Sequence, residues 1–386
     1  MIRDAKAKAN TKANTKAKAG TLDGRFAATF HDIRQTIGLT EKSRMALALS
    51  GGGDSMALLR LLSLWAKNSH MTLPTALIVD HGLRKEAHAE AKTVHDRAKA
   101  LGFEAHVLAW KGKKPQANIE DAARLARYRL LGEWCRSHKT QFLLVAHTED
   151  DQAENFLLRL GRGSGVDGLA AMAAEGKFPL PGYADIKVVR PLLGFRRDEL
   201  RTYLAGHKVA WIEDPMNDEA RFARIRVRRL LPKLAAAGIP PSRIADAARH
   251  LARARLALEA MTGAFCDTFV VEKEGRMLVD RQALLKTPRE ISLRVLSRLL
   301  CQVSGQAYRP RFDSLERLLA TIMADPKLPG STLHGCKVAT CPKRLQLFGA
   351  GTLAISPEPG RRGQPRTGKG FRAPHKGRIL GHNSSP

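Results

Sequence analysis

The sequence predicts an α/β protein whose main domain is a doubly wound parallel sheet, followed by a basic helical linker and a smaller mixed α/β domain. Short apolar runs alternate with longer helix-like segments through the first half of the chain. That alternation is typical of a parallel sheet covered by helices on both faces. A glycine-rich loop joins the first apolar run to a helix, at the edge of the sheet where such folds bind ligands.

The order of the elements follows from this alternation. The predicted strands are 45–49, 74–79, 103–110, 141–146 and 186–193, and the predicted helices are 56–62, 86–101, 118–138, 150–160 and 197–205. In the smaller domain we expect a hairpin of 269–271 with 277–279, a helix over 291–303 and a second strand pair within 337–348. The predicted organisation is a disordered basic tail over 1–22, the sheet domain over 23–219, a basic helical linker over 220–262, a C-terminal domain over 263–355 and a second disordered tail over 356–386.

The composition indicates an anionic partner. Lysine and arginine together number 65, aspartate and glutamate 37, and the formal net charge of +28 favours nucleic acid. The five cysteines are scattered and form no CxxC pair, which predicts a reducing compartment and hence a cytoplasmic protein. The chain has no apolar run long enough for a membrane span. An organelle transit peptide is the alternative reading of the N-terminal lysine-alanine repeat.

The glycine-rich loop is Ser50-Gly51-Gly52-Gly53-Asp54-Ser55. Three glycines allow the backbone to approach an anion closely, and several N–H groups together with the positive end of the next helix can converge on it. The serine hydroxyls add donors, and Asp54 could cap the helix or hold Mg²⁺. No lysine follows the glycines, so the loop is not a Walker A motif. A tight turn without a ligand is the alternative.

Three further segments carry polar residues that can meet at the same sheet edge. Asp80 and His81 follow the second strand, and His147 follows the fourth. Asp151 and Glu154 are three residues apart on the next helix, where they share a face and could receive an ammonium group or a metal ion. Arg124 and Arg127, also three apart, could bind one phosphate together. Buried ion pairs of the sheet edge would use the same residue types. His334, Cys336 and Cys341 are a weaker metal-site alternative, because their spacing matches no usual zinc pattern.

The linker carries the arginines that we expect to contact nucleic acid. Arg221, Arg224 and Arg228 follow helical spacing, and Arg249 and Arg253 lie on the next helix. The apolar residues of that helix, at 244, 247, 251, 254, 258 and 261, predict a single buried seam. A solvated helix face is the alternative for any one arginine.

Five motifs occur in sequence along the chain: SGGxDS, VDHGLR, NxExxxRxxRY, HTxDDQxE and, at 213–217, EDPxN. In this order they resemble the N-type ATP pyrophosphatases, the PP-loop superfamily, and within them the tRNA(Ile)-lysidine synthetase family. The resemblance covers about residues 40–350. Met216 and Asn155 are small departures from the family pattern. The resemblance therefore implies that 23–219 is a PP-loop ATP pyrophosphatase domain and 263–355 a tRNA-binding domain.

The resemblance also implies a reaction. ATP would adenylate C2 of the wobble cytidine of tRNA(Ile) with a CAU anticodon, and L-lysine would then displace AMP to give lysidine. Residues 50–55 with Asp80 and His81 would bind ATP and Mg²⁺. Asp151 and Glu154 would receive lysine, and Arg124, Arg127 and His147 would contact the α-phosphate and the intermediate. A homodimer is left open.

Three other functions compete with lysidine formation as explanations of the sequence. A tRNA thiolase would use the same adenylation but would need a reactive cysteine near the loop. A GMP or NAD synthetase relative would have no use for so basic a C-terminal half. An RNA-binding protein on an inactive PP-loop fold would not need Ser50 to Ser55 and Asp151 intact.

Overall fold

The structure is a computed structural model that describes residues 20–69, 71–112, 114–115, 119–213, 223–306 and 308–358. Most of the predicted tails 1–22 and 356–386 lies outside these residues. The predicted tRNA-binding residue Arg221 also lies outside them. Of the EDPxN motif at 213–217, only the first residue is described. The described residues form two compact units, divided between Arg255 and Leu256.

The first unit contains a mixed sheet and its covering helices. Its strands are β1 Met45–Ala48, β2 Thr75–Asp80, β3 Ala105–Ala109, β4 Phe142–Leu144, β5 Glu175–Lys177 and β6 Lys187–Val189. Its helices are α1 Leu22–Ile37, α2 Gly53–Ser69, α3 Ala87–Ala100, α4 Ile119–Ser137, α5 Glu149–Leu160, α6 Val166–Leu169, α7 Arg197–Gly206 and α8 Ala223–Ala236, followed by α9 Pro241–Phe269, which ends in the second unit.

The strand order in this sheet is β3-β2-β1-β4-β6-β5. All pairs are parallel except β5 with β6, which is antiparallel. The predicted parallel sheet is therefore confirmed. Strand β5 was not predicted, because its sequence Glu-Gly-Lys carries no apolar signal. Strand β6 is shorter than the predicted 186–193.

Helices cover the sheet on both faces, as the fold class requires. In β1, Met45 and Leu47 belong to a core formed with α1, α2, α3 and α7. The intervening Ala46 belongs to a second core on the other face, together with residues of α4 such as Tyr128 and Leu131. This alternation follows from the pleat of a strand, in which successive side chains point to opposite faces.

The direction in which successive strands are added to the sheet reverses between β1 and β4. From β1 the chain steps outward to β2 and β3, and it then returns to the other side of β1 to form β4. The loops that leave the carboxyl ends of β1 and β4 therefore diverge and open a crevice, which is the usual ligand position in doubly wound sheets. Ser50 to Ser55 follow β1, and His147 to Asp151 follow β4.

The predicted apolar seam of α9 is wrong in part. Ile244, Ala245 and Ala248 are buried, and Ile244 packs with Ala153 of α5 and Leu231 of α8. Met261, which the seam included, is 51% exposed. Of the other predicted seam residues, Ala247 and Ala254 are also exposed, so a regular spacing of apolar residues did not indicate continuous burial.

The second unit is an antiparallel sheet with helices. Its elements are β7 Val270–Lys273, β8 Arg276–Val279, α10 Arg281–Lys286, α11 Arg289–Ser304, α12 Phe312–Ala324, β9 Ser331–Leu333, β10 Cys336–Thr340, a short 3-10 helix Lys343–Leu345 and β11 Leu353–Pro357. The strand order is β7-β8-β11-β10-β9. The predicted hairpin is confirmed: β7 pairs with β8 across Glu274 and Gly275, both of which have positive φ as a tight two-residue hairpin turn requires.

The predicted strand pair within 337–348 is wrong. Strand β10 pairs with β9 before it and with β11 after it, and the residues between β10 and β11 include the 3-10 helix. The apolar residues Leu345 and Cys341 misled the prediction, since they are buried in a small separate cluster rather than in a strand. None of the described helices is both long enough and apolar enough to cross a membrane.

We expect Phe30→Ala to lower the free energy of unfolding by about 3–5 kcal/mol, the usual cost of removing a buried phenyl ring. Phe30 has no exposed surface, stacks on Phe26 with ring centroids 5.6 Å apart and meets Trp65 edge-on at 4.7 Å. Denaturant unfolding followed by tryptophan fluorescence measures the loss. The matched control is Leu160→Ala, at a residue that is 51% exposed, for which the change should stay within about 0.5 kcal/mol.

Candidate active site

A cavity of about 850 Å³ opens at the carboxyl edge of the sheet in the first unit. Its wall contains parts of the glycine-rich loop, the residue after β2, the face of α4, the residue after β4 and the beginnings of α5 and α7. Its polar lining includes Ser50, Asp54, Ser55, His81, Arg124, Arg127, His147, Asp151, Arg197, Arg224 and Arg228. Segments that are far apart in the sequence thus contribute to one site.

The glycine-rich loop is held by its own hydroxyls. The Ser55 hydroxyl donates to the carbonyl of Gly52 at 2.9 Å, and the Ser50 hydroxyl donates to Ser55 Oγ at 3.1 Å. Gly51 has a φ of +85°, and a Cβ at this position would lie 2.5 Å from Val94 Cγ2. Only glycine fits there. Helix α2 begins at Gly53, so its N-terminal N–H groups face the cavity where an anion would bind.

Asp54 is the titratable residue of the loop. Its pKa is raised, chiefly because burial disfavours the charged form, although Arg197 opposes that effect. Asp54 Oδ2 accepts a hydrogen bond from Arg197 Nε at 3.1 Å, whereas Asp54 Oδ1 is buried and has no hydrogen-bond partner within the described part of the chain. A buried carboxylate oxygen without a partner fits a ligand to Mg²⁺, which often takes one or two carboxylates and completes its shell with water and substrate phosphates. The described residues contain no cluster of three or more histidine, cysteine or acidic groups that could hold a metal by themselves.

Positive charge accumulates on the α4 side of the cavity. Arg124 and Arg127 lie 5.2 and 5.5 Å from the centre of the Tyr128 ring, and neither makes an ion pair with any residue that the structure describes. The pKa of Arg127 is lowered, first because it is desolvated and then because Arg124 and Arg224 repel its charge. A cluster of cations without anionic partners favours binding of an anion such as phosphate.

His147 also lines this side of the cavity. Burial lowers its pKa to about 4, and the neighbouring arginines oppose protonation further, although Asp151 favours it. Its Nδ1 is buried and makes no hydrogen bond among the described residues. The imidazole is therefore neutral near pH 7 and can take part in a hydrogen bond with a ligand.

Asp151 and Glu154 share one face of α5, as the spacing predicts, but their environments differ. Asp151 lines the cavity, and its Oδ2 accepts hydrogen bonds from the Thr148 backbone at 2.9 Å and hydroxyl at 3.1 Å. Burial alone would raise the pKa of Asp151, but Arg197, His147 and Thr148 together lower it, so the carboxylate is ionised. Glu154 is fully buried and does not line the cavity.

Three arginines surround the carboxylate of Glu154. Its oxygens pair with Arg197 Nη1 at 2.9 Å, Arg228 Nε at 2.9 Å and Arg224 Nε at 3.5 Å. A lysine ammonium could reach this carboxylate only by displacing a guanidinium. Contact of Glu154 with the substrate stays a prediction, and it requires such a displacement.

The predicted tRNA-binding arginines differ from one another in their surroundings. Arg224 and Arg228 point into the cavity and pair with Glu154, and Arg224 also donates to Asn155 Oδ1 at 3.1 Å. On α9, Arg249 is exposed and pairs with Asp246 and more distantly with Glu149, whereas Arg253 is exposed without an ion pair among the described residues.

The predicted ATP-binding residues Asp80 and His81 are adjacent, but only one of them lines the cavity. His81 lines the cavity. Asp80 does not: its carboxylate accepts from the Gly82 N–H at 2.9 Å and lies 3.2 Å from His88 Nδ1. Asp80 therefore supports the turn that presents His81.

Sequence reasoning missed three residues of the cavity. Arg197 contacts Asp54, Asp151 and Glu154 at once. Arg201 follows one turn later on the same helix and pairs with Glu213 at 3.4 Å, and Trp211 lies against Gly53. Arg197 was recognised only as the start of a helix. Its position at the first residue of a helix that follows a strand was the available signal, because that end of a parallel sheet faces the site.

The comparisons with known proteins identify the family of the first unit. Residues 23–234, more than half of the chain, match the PP-loop domain family. A tRNA(Ile)-lysidine synthase of Wolbachia pipientis is 41% identical over 298 residues, which cover 77% of this chain and 68% of that protein. The chain belongs to the tRNA(Ile)-lysidine synthase family. This is a family of ligase-type, tRNA-modifying PP-loop enzymes, and the resemblance found in the sequence is confirmed.

Other members of the lysidine synthase family match over more of their own length. The tRNA(Ile)-lysidine synthase of Methylobacterium nodulans is 40% identical over 326 residues, which cover 82% of this chain and 91% of that protein. Among solved structures, a U34-tRNA thiolase of Methanococcus maripaludis with a [4Fe-4S] cluster is 20% identical and superposes with a TM-score of 0.48 over 58% of this chain and 78% of that one.

The depressed pKa of His147 makes stability depend on pH. In the unfolded chain His147 becomes protonated below its ordinary pKa of about 6.5, whereas in the folded protein it becomes protonated only below about pH 4. Stability is therefore lost as the pH falls through this interval, and His147 should account for about 1–2 kcal/mol of the loss between pH 7 and pH 5. Denaturant unfolding of the wild type and of His147→Asn at both pH values measures the difference. An equal loss in both proteins would contradict the assignment.

Proposed function

We propose that this protein joins L-lysine to C2 of the wobble cytidine of tRNA(Ile) with a CAU anticodon, through an adenylated cytidine, and that it releases AMP and pyrophosphate. One observation carries the proposal: a single cavity is lined by the glycine-rich loop, by two arginines that have no anionic partner among the described residues and by an ionised carboxylate. Those three parts match a polyphosphate, a nucleotide α-phosphate and the amine of lysine. Membership of the lysidine synthase family supports the choice of substrates.

In the first step the cytosine O2 attacks the α-phosphorus of ATP, and the bond to the β-phosphate breaks as pyrophosphate leaves. The N–H groups at the start of α2 would hold the pyrophosphate, in a loop whose shape the hydroxyls of Ser50 and Ser55 maintain. Arg124 and Arg127 would stabilise the charge that grows on the α-phosphate oxygens, and donors oriented in this way often contribute the largest part of such catalysis. The neighbouring Arg224 adds to the same field.

Magnesium would be held by Asp54, whose Oδ1 has no other partner within the described residues. The ion would supply positive charge to the leaving phosphates. The remaining ligands would come from the nucleotide and water, because the described residues offer no ready cluster of protein ligands.

In the second step the side-chain amine of lysine attacks C2, a C–N bond forms, and the bond from C2 to the oxygen of AMP breaks. The ionised carboxylate of Asp151 would attract the incoming ammonium group. The amine must lose a proton to become a nucleophile, and a nearby carboxylate such as Asp151 could serve as the proton acceptor. His147, whose imidazole is neutral, would contact the α-phosphate side of the intermediate.

The thiolase alternative is disfavoured by the cysteines. Cys135 is the single cysteine of the sequence up to Arg255, it is fully buried, and burial raises its pKa to about 12. A buried thiol with so high a pKa is not a nucleophile near neutral pH. A tRNA thiolase would need a different sulfur carrier beside the loop.

Nucleoside analysis tests the proposal. The protein is incubated with ATP, Mg²⁺, L-lysine and unmodified tRNA(Ile), pyrophosphate release is followed, and the digested tRNA is examined by mass spectrometry. We expect a lysine-dependent nucleoside whose mass equals cytidine plus lysine less water. A sulfur-containing nucleoside would support the thiolase instead. Binding of the tRNA without any product would indicate an inactive fold.

We predict that Asp151→Asn lowers lysidine formation at least about a hundredfold, because the isosteric amide removes the charge that attracts the ammonium group. The affinity for tRNA, measured by filter binding, should stay within about threefold, since Asp151 is almost fully buried and its contacts are with Thr148 at the N-cap of α5 and with Arg197 on α7. A large loss of tRNA binding would show that Asp151 acts through the fold.

We predict unequal effects of two arginines on α9. Arg253→Gln should reduce the slope of log Kd against log salt by about 0.7–0.9, the contribution of one phosphate contact. Arg249→Gln should change it less, because the charge of Arg249 is already paired with Asp246. Titrations at several salt concentrations measure both slopes. Wild-type slopes in both variants would mark these residues as solvated charges without a tRNA contact.

A further inference from the structure

Arg197 uses each nitrogen of its guanidinium for a different carboxylate. Nε donates to Asp54 at 3.1 Å, Nη1 donates to Glu154 at 2.9 Å, and Nη2 donates to Asp151 at 3.3 Å. The Arg197 side chain is only 16% exposed. Partly desolvated pairs of this kind are stronger than surface pairs, and removing one partner leaves an uncompensated charge.

The three carboxylates belong to two different functional segments. Asp54 lies in the loop proposed to hold pyrophosphate, at the start of α2, whereas Asp151 and Glu154 lie on α5. A guanidinium is planar and rigid, so its three donors fix the distances between the groups that they bind. Arg197 therefore determines the separation between the nucleotide loop and the lysine-attracting carboxylate.

The backbone holds Arg197 in place independently of its side chain. Its N–H donates to Asp150 Oδ2 at 2.7 Å, and the Glu149 N–H donates to the carbonyl of Phe195 at 2.9 Å. These two contacts join the start of α7 to the start of α5. Both contacts use backbone N–H groups, so a substitution of the side chain at position 197 leaves them in place.

The balance of charge supports the same role. Asp54, Asp151 and Glu154 would repel one another in a poorly hydrated site, and Arg197 is the cation that contacts all three. Arg224 and Arg228 contact Glu154, but no ion pair of theirs with Asp54 or Asp151 occurs among the described contacts. Removal of Arg197 would leave those two carboxylates to move apart.

We propose that Arg197 is a positioning residue that links the pyrophosphate loop to the lysine-attracting carboxylate. The same arrangement of these two groups then serves both adenylation and lysine transfer. The inference rests on the proposed function. It assigns to Arg197 no contact with the reacting atoms. Its effect is on the placement of Asp54 and Asp151.

Two substitutions separate geometry from charge. Arg197→Lys retains the positive charge but replaces a rigid three-way fork by one flexible ammonium group, which cannot bridge all three carboxylates in the same way. Arg197→Met retains much of the apolar stem and removes the charge. The matched control is Arg196→Met, at the preceding residue, whose side chain is 50% exposed and pairs with Asp198.

The experiment measures two steps for each variant. Lysine-independent pyrophosphate release in the presence of tRNA(Ile) reports adenylation, and lysidine formation at varied lysine reports the second step. For Arg197→Lys we expect adenylation to fall less than about tenfold while the KM for lysine rises about tenfold or more. For Arg197→Met we expect both steps to fall at least about a hundredfold. Arg196→Met should behave as the wild type.

Thermal unfolding and tRNA affinity distinguish a positioning role from a structural one. If Arg197→Lys remains folded and its lysine KM equals that of the wild type, the proposal is overturned. It is equally overturned if both variants lose activity only in proportion to the unfolded fraction. Absence of lysidine with the wild type would overturn the proposed function, an outcome that is separate from a difference among the variants.

Discussion

The buried carboxylate of Glu154 is the constraint on which the active site depends. A carboxylate without exposed surface is tolerated only when cations and hydrogen bonds compensate for its lost hydration. Here the compensation comes from Arg197 on α7 and from Arg224 and Arg228 on α8. Because these arginines must reach one point, α5, α7 and α8 are brought together at the edge of the sheet. The same requirement draws Asp151 and Asp54 to the common guanidinium of Arg197.

The two sides of the cavity consequently differ in electrostatic character. Around Arg197 the charges are paired, and the groups are held in a fixed arrangement. On the α4 side, Arg124 and Arg127 have no anionic partners among the described residues and share their surroundings with a neutral His147. The paired side suits groups that must be positioned, whereas the unpaired side favours a bound phosphate. This separation is consistent with a nucleotide and an amine substrate meeting in one cavity.

Much of the fold could be predicted from local pattern. Apolar runs located β1, β2, β3 and β4, and the turn residues Glu274 and Gly275 located the hairpin of β7 and β8. The errors have physical reasons. Strand β5 is too short and polar to give an apolar signal, and the seam of α9 could not indicate which turns find a partner, because burial depends on contacts with α5 and α8. The division between Arg255 and Leu256 falls within a continuous helix, where the sequence has no break.

The sequence by itself determined which chemical groups are present and which segments carry them. Three glycines between two serines indicate a phosphate loop because few other roles require that backbone freedom, and the position of His147 and Asp151 after a strand assigns them to the ligand edge. Only the tertiary structure decided how those groups are paired. Arg197 has no motif of its own around it, and Glu154 has the same i, i+3 relation to Asp151 whether it lines the cavity or pairs with the arginines that line it. Charge pairing depends on distances between segments that are far apart in the chain: Arg197 is 43 residues from Glu154 and 143 residues from Asp54. Such distances are set by packing rather than by local sequence.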